Sequence, residues 1–286
     1  MRKIGFIGTG VMGKSMAQHL QQAGHQLFVY TRTKSKAEEL ISEGAVWCQT
    51  PAEAAQEAEV MFTIVGEPSD VEGVYFGEQG ILAGSRPGQV VIDMTTSKPS
   101  LAVRIYEEAK KKKVDALDAP VSGGDIGAKN GTLAIMVGGN RSVYEKVLPL
   151  FNIIGENIVY QGEAGAGQHA KMSNQITVAG NMIGVCEALV YAREAGLDLE
   201  NVLKSITTGA AGSWSLSNLA PRMLKEDYEP GFYIKHFIKD MKIAIEESER
   251  MGIRLPGLSL AKKMYEELSL KGESESGTQA LIKYWD

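Results

Sequence analysis

Residues 3–13 read Lys3-Ile4-Gly5-Phe6-Ile7-Gly8-Thr9-Gly10-Val11-Met12-Gly13. Lys3–Gly8 predicts a buried strand. Met12, Met16 and Leu20 then fall on one face of a helix that Gly24 ends. A bare GxGxxG carries little weight, but here it follows a strand and opens a helix, which is the context that gives it meaning. Gly8 permits the tight turn, Gly10 lets a pyrophosphate approach the backbone, and Gly13 lets the helix pack close to the strand. The helix N-terminus adds N–H groups and partial positive charge, so Gly8, Thr9, Gly10, Val11, Met12 and Gly13 are expected to cradle a dinucleotide.

The next strand, Gln26–Tyr30, runs into Thr31-Arg32-Thr33-Lys34. An NAD site usually places an acid here, on the adenine ribose hydroxyls. No acid occurs between Arg2 and Glu38. Arg32, flanked by Thr31 and Thr33, suits a 2′-phosphate, so NADP is the expected cofactor, with NAD as the alternative. A solvent-facing loop arginine is the competing reading.

Further along, Ser35–Glu38, Thr50–Glu53 and Ser142–Glu145 carry helix-start signals, and Gly44 is a helix stop. Strands are predicted at Val60–Val65, Gln89–Met94, Val114–Ala119, Leu133–Val137 and Asn157–Tyr160, with a helix over Leu101–Lys113. The alternation predicts an α/β fold with a Rossmann-type, doubly wound parallel sheet. After Gly162 strand runs vanish. Ala166–Ala195 predicts one long helix, apolar on more than one face and therefore buried. The expected domains are 1–162, binding the nucleotide, and 163–286, all helical.

Bulk properties narrow the functional classes. The 286 residues are 44% hydrophobic and 23% charged, as in ordinary globular chains. A net charge of −5 gives no electrostatic reason to bind nucleic acid or anionic lipid. Lys110–Lys113 is the one basic cluster and reads as a solvated helix end. Cys48 and Cys186 form no CxxC pair, which fits a reducing cytoplasm. No stretch reads as long and apolar enough for a membrane span, and the chain is expected to enter a strand at once, with no signal peptide. His236 and Asp240 share a helix face, but two ligands rarely make a metal site, so no metal is expected.

Two other glycine-rich segments carry chemistry. Asp118-Ala119-Pro120-Val121-Ser122-Gly123-Gly124 follows a strand at its carboxyl end, where open α/β sheets bind ligands. Ser122 offers a hydroxyl, and Gly123 and Gly124 offer backbone N–H groups suited to a carboxylate. Val65 and Thr96, at strand ends, are placed to touch the cofactor. Gly162–Asn174 then leads into the long helix. Lys171 and Asn174, three apart, share a face. Polar groups turned into an apolar helix are costly unless used, so the pair is either functional or a satisfied structural pair. Trp214 either walls a pocket or packs in a core.

The motifs Gly5–Gly13, Asp118–Gly124, Gly162–Asn174 and Lys239-Asp240 after Phe232 occur in order along the whole chain. In this the chain resembles the β-hydroxyacid dehydrogenase family, which includes 3-hydroxyisobutyrate and tartronate-semialdehyde dehydrogenases and glyoxylate/succinic semialdehyde reductases. The resemblance implies Lys171 as catalytic acid/base, Ser122, Gly123 and Gly124 on the substrate carboxylate, and Asn174 orienting a small carboxylate substrate. It further implies Lys239 near cofactor and substrate, supported by Asp240, and a homodimer or homotetramer. Imine reductases share the architecture but generally lack lysine at the position of Lys171, which favours carbonyl chemistry here. A dinucleotide-binding module without turnover is the other alternative.

Overall fold

The structure is a computed structural model describing residues 1–286. It divides into two compact units, Met1–Lys171 and Met172–Asp286.

In the first unit the chain runs β1 (Lys3–Ile7), α1 (Val11–Gln22), β2 (Gln26–Tyr30), α2 (Glu38–Ser42), β3 (Val46–Trp47), α3 (Pro51–Glu57), β4 (Val60–Thr63), α4 (Pro68–Phe76), α5 (Ile81–Gly84) and β5 (Val90–Asp93). It continues through α6 (Pro99–Lys111), β6 (Asp115–Asp118), β7 (Val121–Ser122), α7 (Gly124–Asn130), β8 (Leu133–Gly139), α8 (Arg141–Ile154) and β9 (Gly155–Gly162) into α9 (Ala166–Glu194). The sheet order is β3-β2-β1-β4-β5-β6-β8-β7, with β9 paired to β8. From β3 to β6 every pairing is parallel. The order reverses between β1 and β4, which is the switch point where such sheets bind ligands. One apolar cluster, with Phe6, Leu20, Val29, Phe62 and Phe151, fills one side of the sheet. A second, with Ile7, Met61, Tyr75 and Val91, fills the other.

The parallel pattern stops at β6. Strand β8 runs antiparallel to both β6 and β7. Residues 123–132 hold only the single short helix α7, less than the dozen or more residues a parallel crossover takes. Two helix starts also differ from the sequence reading. Ser35 lies inside a short 3-10 turn, Lys34–Ala37, and α2 begins after it without a side-chain cap. The cap of α8 is Asn140, whose Oδ1 accepts the Ser142 N–H at 2.9 Å. Thr50 caps α3 as predicted, accepting the Glu53 N–H at 3.1 Å.

Helix α9 begins in the first unit and continues into the second. By length and composition it is long and apolar enough to cross a bilayer, which the sequence reading missed because Gly, Ala and polar residues interrupt the run. In the second unit α10 (Leu199–Ile206), α11 (Trp214–Asn218), α12 (Ala220–Met223), α13 (Ile234–Arg250) and α14 (Pro256–Leu270) follow, then two 3-10 turns, Glu273–Glu275 and Thr278–Trp285. Met182, Cys186 and Leu189 of α9 join Phe237, Met241 and Tyr265 in one buried cluster. The Phe237 and Tyr265 rings meet edge to face at 5.2 Å, and the Tyr265 hydroxyl donates to the Thr278 carbonyl at 2.8 Å.

Candidate active site

Strand register places the predicted site residues of the first unit along one edge. Tyr30 pairs with Ile7, Ile7 with Thr63, Thr63 with Asp93, and Asp93 with Asp118. These are the carboxyl ends of β2, β1, β4, β5 and β6. The turn Gly8–Gly13, the segment Thr31–Thr33, Val65, Thr96 and the Ser122 loop all begin within a few residues of this row.

The glycine turn divides into structural and open positions. Gly8 has φ +96, and a Cβ there would stand 2.0 Å from the Ile64 carbonyl oxygen. A Cβ on Gly13 would stand 2.0 Å from the Gly8 oxygen. At Gly10 a Cβ would meet nothing within 4 Å. Gly10 caps α1 without a side chain, no acid lies in the first helical turn, and the buried Thr9 hydroxyl has no hydrogen-bond partner. An open backbone, the positive end of a helix and an orphaned hydroxyl together fit a pyrophosphate. Thr9, Gly10, Val11 and Met12 would hold it.

Beyond β2, the Arg32 side chain is 79% exposed and its Nη1 lies 3.0 Å from Asp70 Oδ1. Asp70 is held in turn at the start of α4, where its other oxygen accepts the Glu67 N–H at 3.2 Å. Sequence reasoning missed Asp70; the signal was the helix start Glu67-Pro68-Ser69-Asp70. The Val65 N–H donates to the Thr95 hydroxyl at 3.0 Å, and the Thr95 N–H donates to Asp93 Oδ1 at 3.0 Å. The loop after β6 ends in Gly123, φ +131, and Gly124, φ +63. Both angles suit glycine and turn the chain past the half-buried Ser122.

Lys171 is buried in the second turn of α9, at 7% exposure. The start of α9 is tied to the strand ends. Asp118 accepts the Gly165 N–H on Oδ1 at 2.8 Å and the Gln168 N–H on Oδ2 at 2.9 Å. Burial pushes the Asp118 carboxyl above its ordinary value, against the opposing pull of those N–H groups. Gln168, which the sequence reading gave no role, accepts the Ser97 N–H at 2.9 Å and donates to the Thr95 carbonyl at 2.7 Å.

In the second unit the Asn174 amide donates to Gln175 Oε1 at 2.7 Å, and Gln175 donates to Asp240 Oδ2 at 2.6 Å. The other oxygen of Asp240 lies 3.0 Å from Lys239 Nζ. Asn174 and Lys239 are therefore linked through a buried Gln–Asp pair. Gln175 carried no signal in the sequence beyond its polarity on an apolar helix. Trp214, at 67% exposure, is not a core residue. It opens α11, which Ser213 caps by accepting the Leu216 N–H at 3.0 Å.

A dinucleotide turn at the switch point and a buried lysine beyond the same sheet edge define a nicotinamide-dependent oxidoreductase. Comparison with known proteins agrees. The family described as the NAD binding domain of 6-phosphogluconate dehydrogenase matches residues 3–162. The one described as "NAD-binding of NADP-dependent 3-hydroxyisobutyrate dehydrogenase" matches residues 165–285. The chain is 63% identical, over 99% of both chains, to an uncharacterized oxidoreductase of Bacillus subtilis. It is 39% identical to the 2-hydroxy-3-oxopropionate reductase of Escherichia coli, over 98% of this chain and 96% of that one. The solved structure of Mycobacterium tuberculosis 3-hydroxyisobutyrate dehydrogenase with L-serine superposes with a TM-score of 0.92 at 29% identity, covering 100% and 99% of the two chains. The chain belongs to the β-hydroxyacid dehydrogenase family, and is an NAD(P)-dependent hydroxyacid dehydrogenase acting on CH–OH groups.

Proposed function

We propose that this enzyme interconverts a small β-hydroxy acid and its semialdehyde with NADP(H), using Lys171 as general acid and base. The observation that carries the reading is Lys171 itself, a lysine 7% exposed on a helix whose first turn is bonded to the carboxyl edge of the sheet. A nicotinamide, when bound, supplies the hydride to the carbonyl carbon or takes it back.

The chain's own residues handle binding and the proton. In reduction the Lys171 ammonium gives a proton to the oxygen that becomes the hydroxyl; in oxidation the neutral amine removes it. Ser122 and the N–H groups of Gly123 and Gly124 hold the substrate carboxylate, and Asn174 orients the substrate. Lys239, held by Asp240, adds positive charge near cofactor and substrate. L-serine, found with the Mycobacterium tuberculosis relative, is itself a β-hydroxy carboxylate, which supports this substrate class. Arg32 and the absence of an acid after β2 support NADP, as does the NADP-dependent family matching residues 165–285.

A homodimer or homotetramer in the cytoplasm completes the reading. Two free cysteines support a reducing compartment. The net charge gives no electrostatic reason for nucleic acid or an anionic membrane as a partner, and the partner is a small carboxylate substrate. The test is turnover of glyoxylate, succinic, tartronate and methylmalonate semialdehydes with NADPH and with NADH. Consumption of at least one, faster with NADPH, is expected. NADPH binding with no turnover of any would point instead to a binding module.

A further inference from the structure

Gln168 is completely buried, and both polar atoms of its side-chain amide are hydrogen-bonded. Its nitrogen donates to the Thr95 carbonyl at 2.7 Å and its oxygen accepts the Ser97 N–H at 2.9 Å. These two backbone groups flank Thr96, which the sequence predicts to touch the cofactor. The backbone N–H of the same Gln168 goes to Asp118 at 2.9 Å. The helix approaches the strands backbone to backbone: a Cβ on Gly167 would stand 2.4 Å from the Met136 oxygen and 2.7 Å from the Asp118 carbonyl oxygen. One side chain therefore straps the first turn of α9 to the segment after β5, while Asp118 fastens the same turn to β6.

Lys171 follows Gln168 by three residues, about 4.5 Å along the helix axis and on a neighbouring face. A shift of the first turn passes to Lys171 with little attenuation, because no flexible segment lies between them. We infer that Gln168 is the positioning residue that, with Asp118, sets where the Lys171 amine stands relative to the strand ends. This rests on the assignment of Lys171 as acid/base. A side chain used only for stability would lower the melting temperature; one that positions a proton donor also lowers the rate of the proton-coupled step, because misplacement of about 1 Å costs roughly 100-fold.

The test is a double-mutant cycle on the full-length enzyme, reading single-turnover NADPH oxidation, kcat and NADPH Kd with the best semialdehyde. Gln168→Leu keeps the bulk and removes both bonds. Expected are a fall in kcat of about 30- to 100-fold, Kd for NADPH within about threefold, and no further loss when Gln168→Leu is added to Lys171→Ala. Gln168→Glu supplies a second readout. Its ionised carboxylate repels the Thr95 carbonyl, whereas the protonated form restores the donor, so its kcat relative to wild type rises as pH falls. This variant decides the matter if Gln168→Leu does not fold. A Gln168→Leu kcat within about threefold of wild type, a loss of equal size in the Lys171→Ala background, or a flat pH ratio for Gln168→Glu overturns the positioning role. Retention of kcat by Lys171→Ala alone overturns the acid/base assignment and the inference with it, a result distinct from failure of Gln168 alone.

Discussion

Arg32 Nη1 and Asp70 Oδ1 lie 3.0 Å apart, joining the end of β2 to the first turn of α4. The pair is exposed on the arginine side, so it contributes little to stability. Its consequence concerns the cofactor: Asp70 holds the guanidinium at the strand end, and with NADP bound as proposed it would compete with the 2′-phosphate for it. Arg32→Ala is expected to lower kcat/KM for NADPH by about 10- to 100-fold while leaving NADH little changed. Asp70→Asn is expected to tighten NADPH with an almost unaltered melting temperature. Equal losses with both cofactors in Arg32→Ala would remove the arginine from phosphate recognition.

The glycine turn predicts two unlike alanine variants. Gly10 has φ −74 and ψ −161, open to any residue, and a Cβ there meets nothing. Gly10→Ala should fold, with a cost of about 1 kcal/mol at the helix cap, but bind NADPH at least about tenfold more weakly. Gly13→Ala drives a Cβ against the Gly8 oxygen and should lose about 1–3 kcal/mol or more of stability. Thermal melts and fluorescence titration of NADPH separate the two. If Gly10→Ala binds NADPH like wild type, the pyrophosphate does not approach there.

Burial, with Glu53 and Glu57 nearby, pushes the Cys48 thiol up to about 11. Cys186 moves in the same direction through burial. A thiol protonated at neutral pH is a poor nucleophile. The folded protein should therefore resist iodoacetamide near about pH 8, while the denatured chain reacts at both cysteines. The linkage has a definite sign. Unfolded thiols ionise near 9 while folded Cys48 stays protonated to about 11, so the unfolded state binds fewer protons and stability falls as pH rises through that window. Cys48→Ala should flatten part of this decline in urea titrations run across it. Rapid alkylation of native Cys48 would contradict its burial.

Local chemistry was readable in the chain; long-range chemistry was not. Gly8–Gly13, the Thr50 cap and the long helix α9 each declare themselves within a short window, because turn sterics, capping and periodicity are local. Asp70 and Gln168 acquire meaning only through partners 38 and 73 residues away, Arg32 and Thr95. No periodicity encodes such pairings. The antiparallel turn of β8 was hidden for a related reason, since strand direction depends on what its connection can span. Trp214 shows the limit of composition: a large aromatic residue after a small-residue loop lies exposed, not in a core.

Lys171 is the group proposed to move the proton in a semialdehyde–hydroxyacid interconversion. The most direct test is kcat for NADPH-dependent reduction of the best semialdehyde by wild type and Lys171→Ala, with NADPH affinity measured alongside. A fall of about 100- to 10,000-fold in kcat with NADPH binding retained is the expected result. A Lys171→Ala enzyme with kcat within about threefold of wild type would remove Lys171 from the proton transfer.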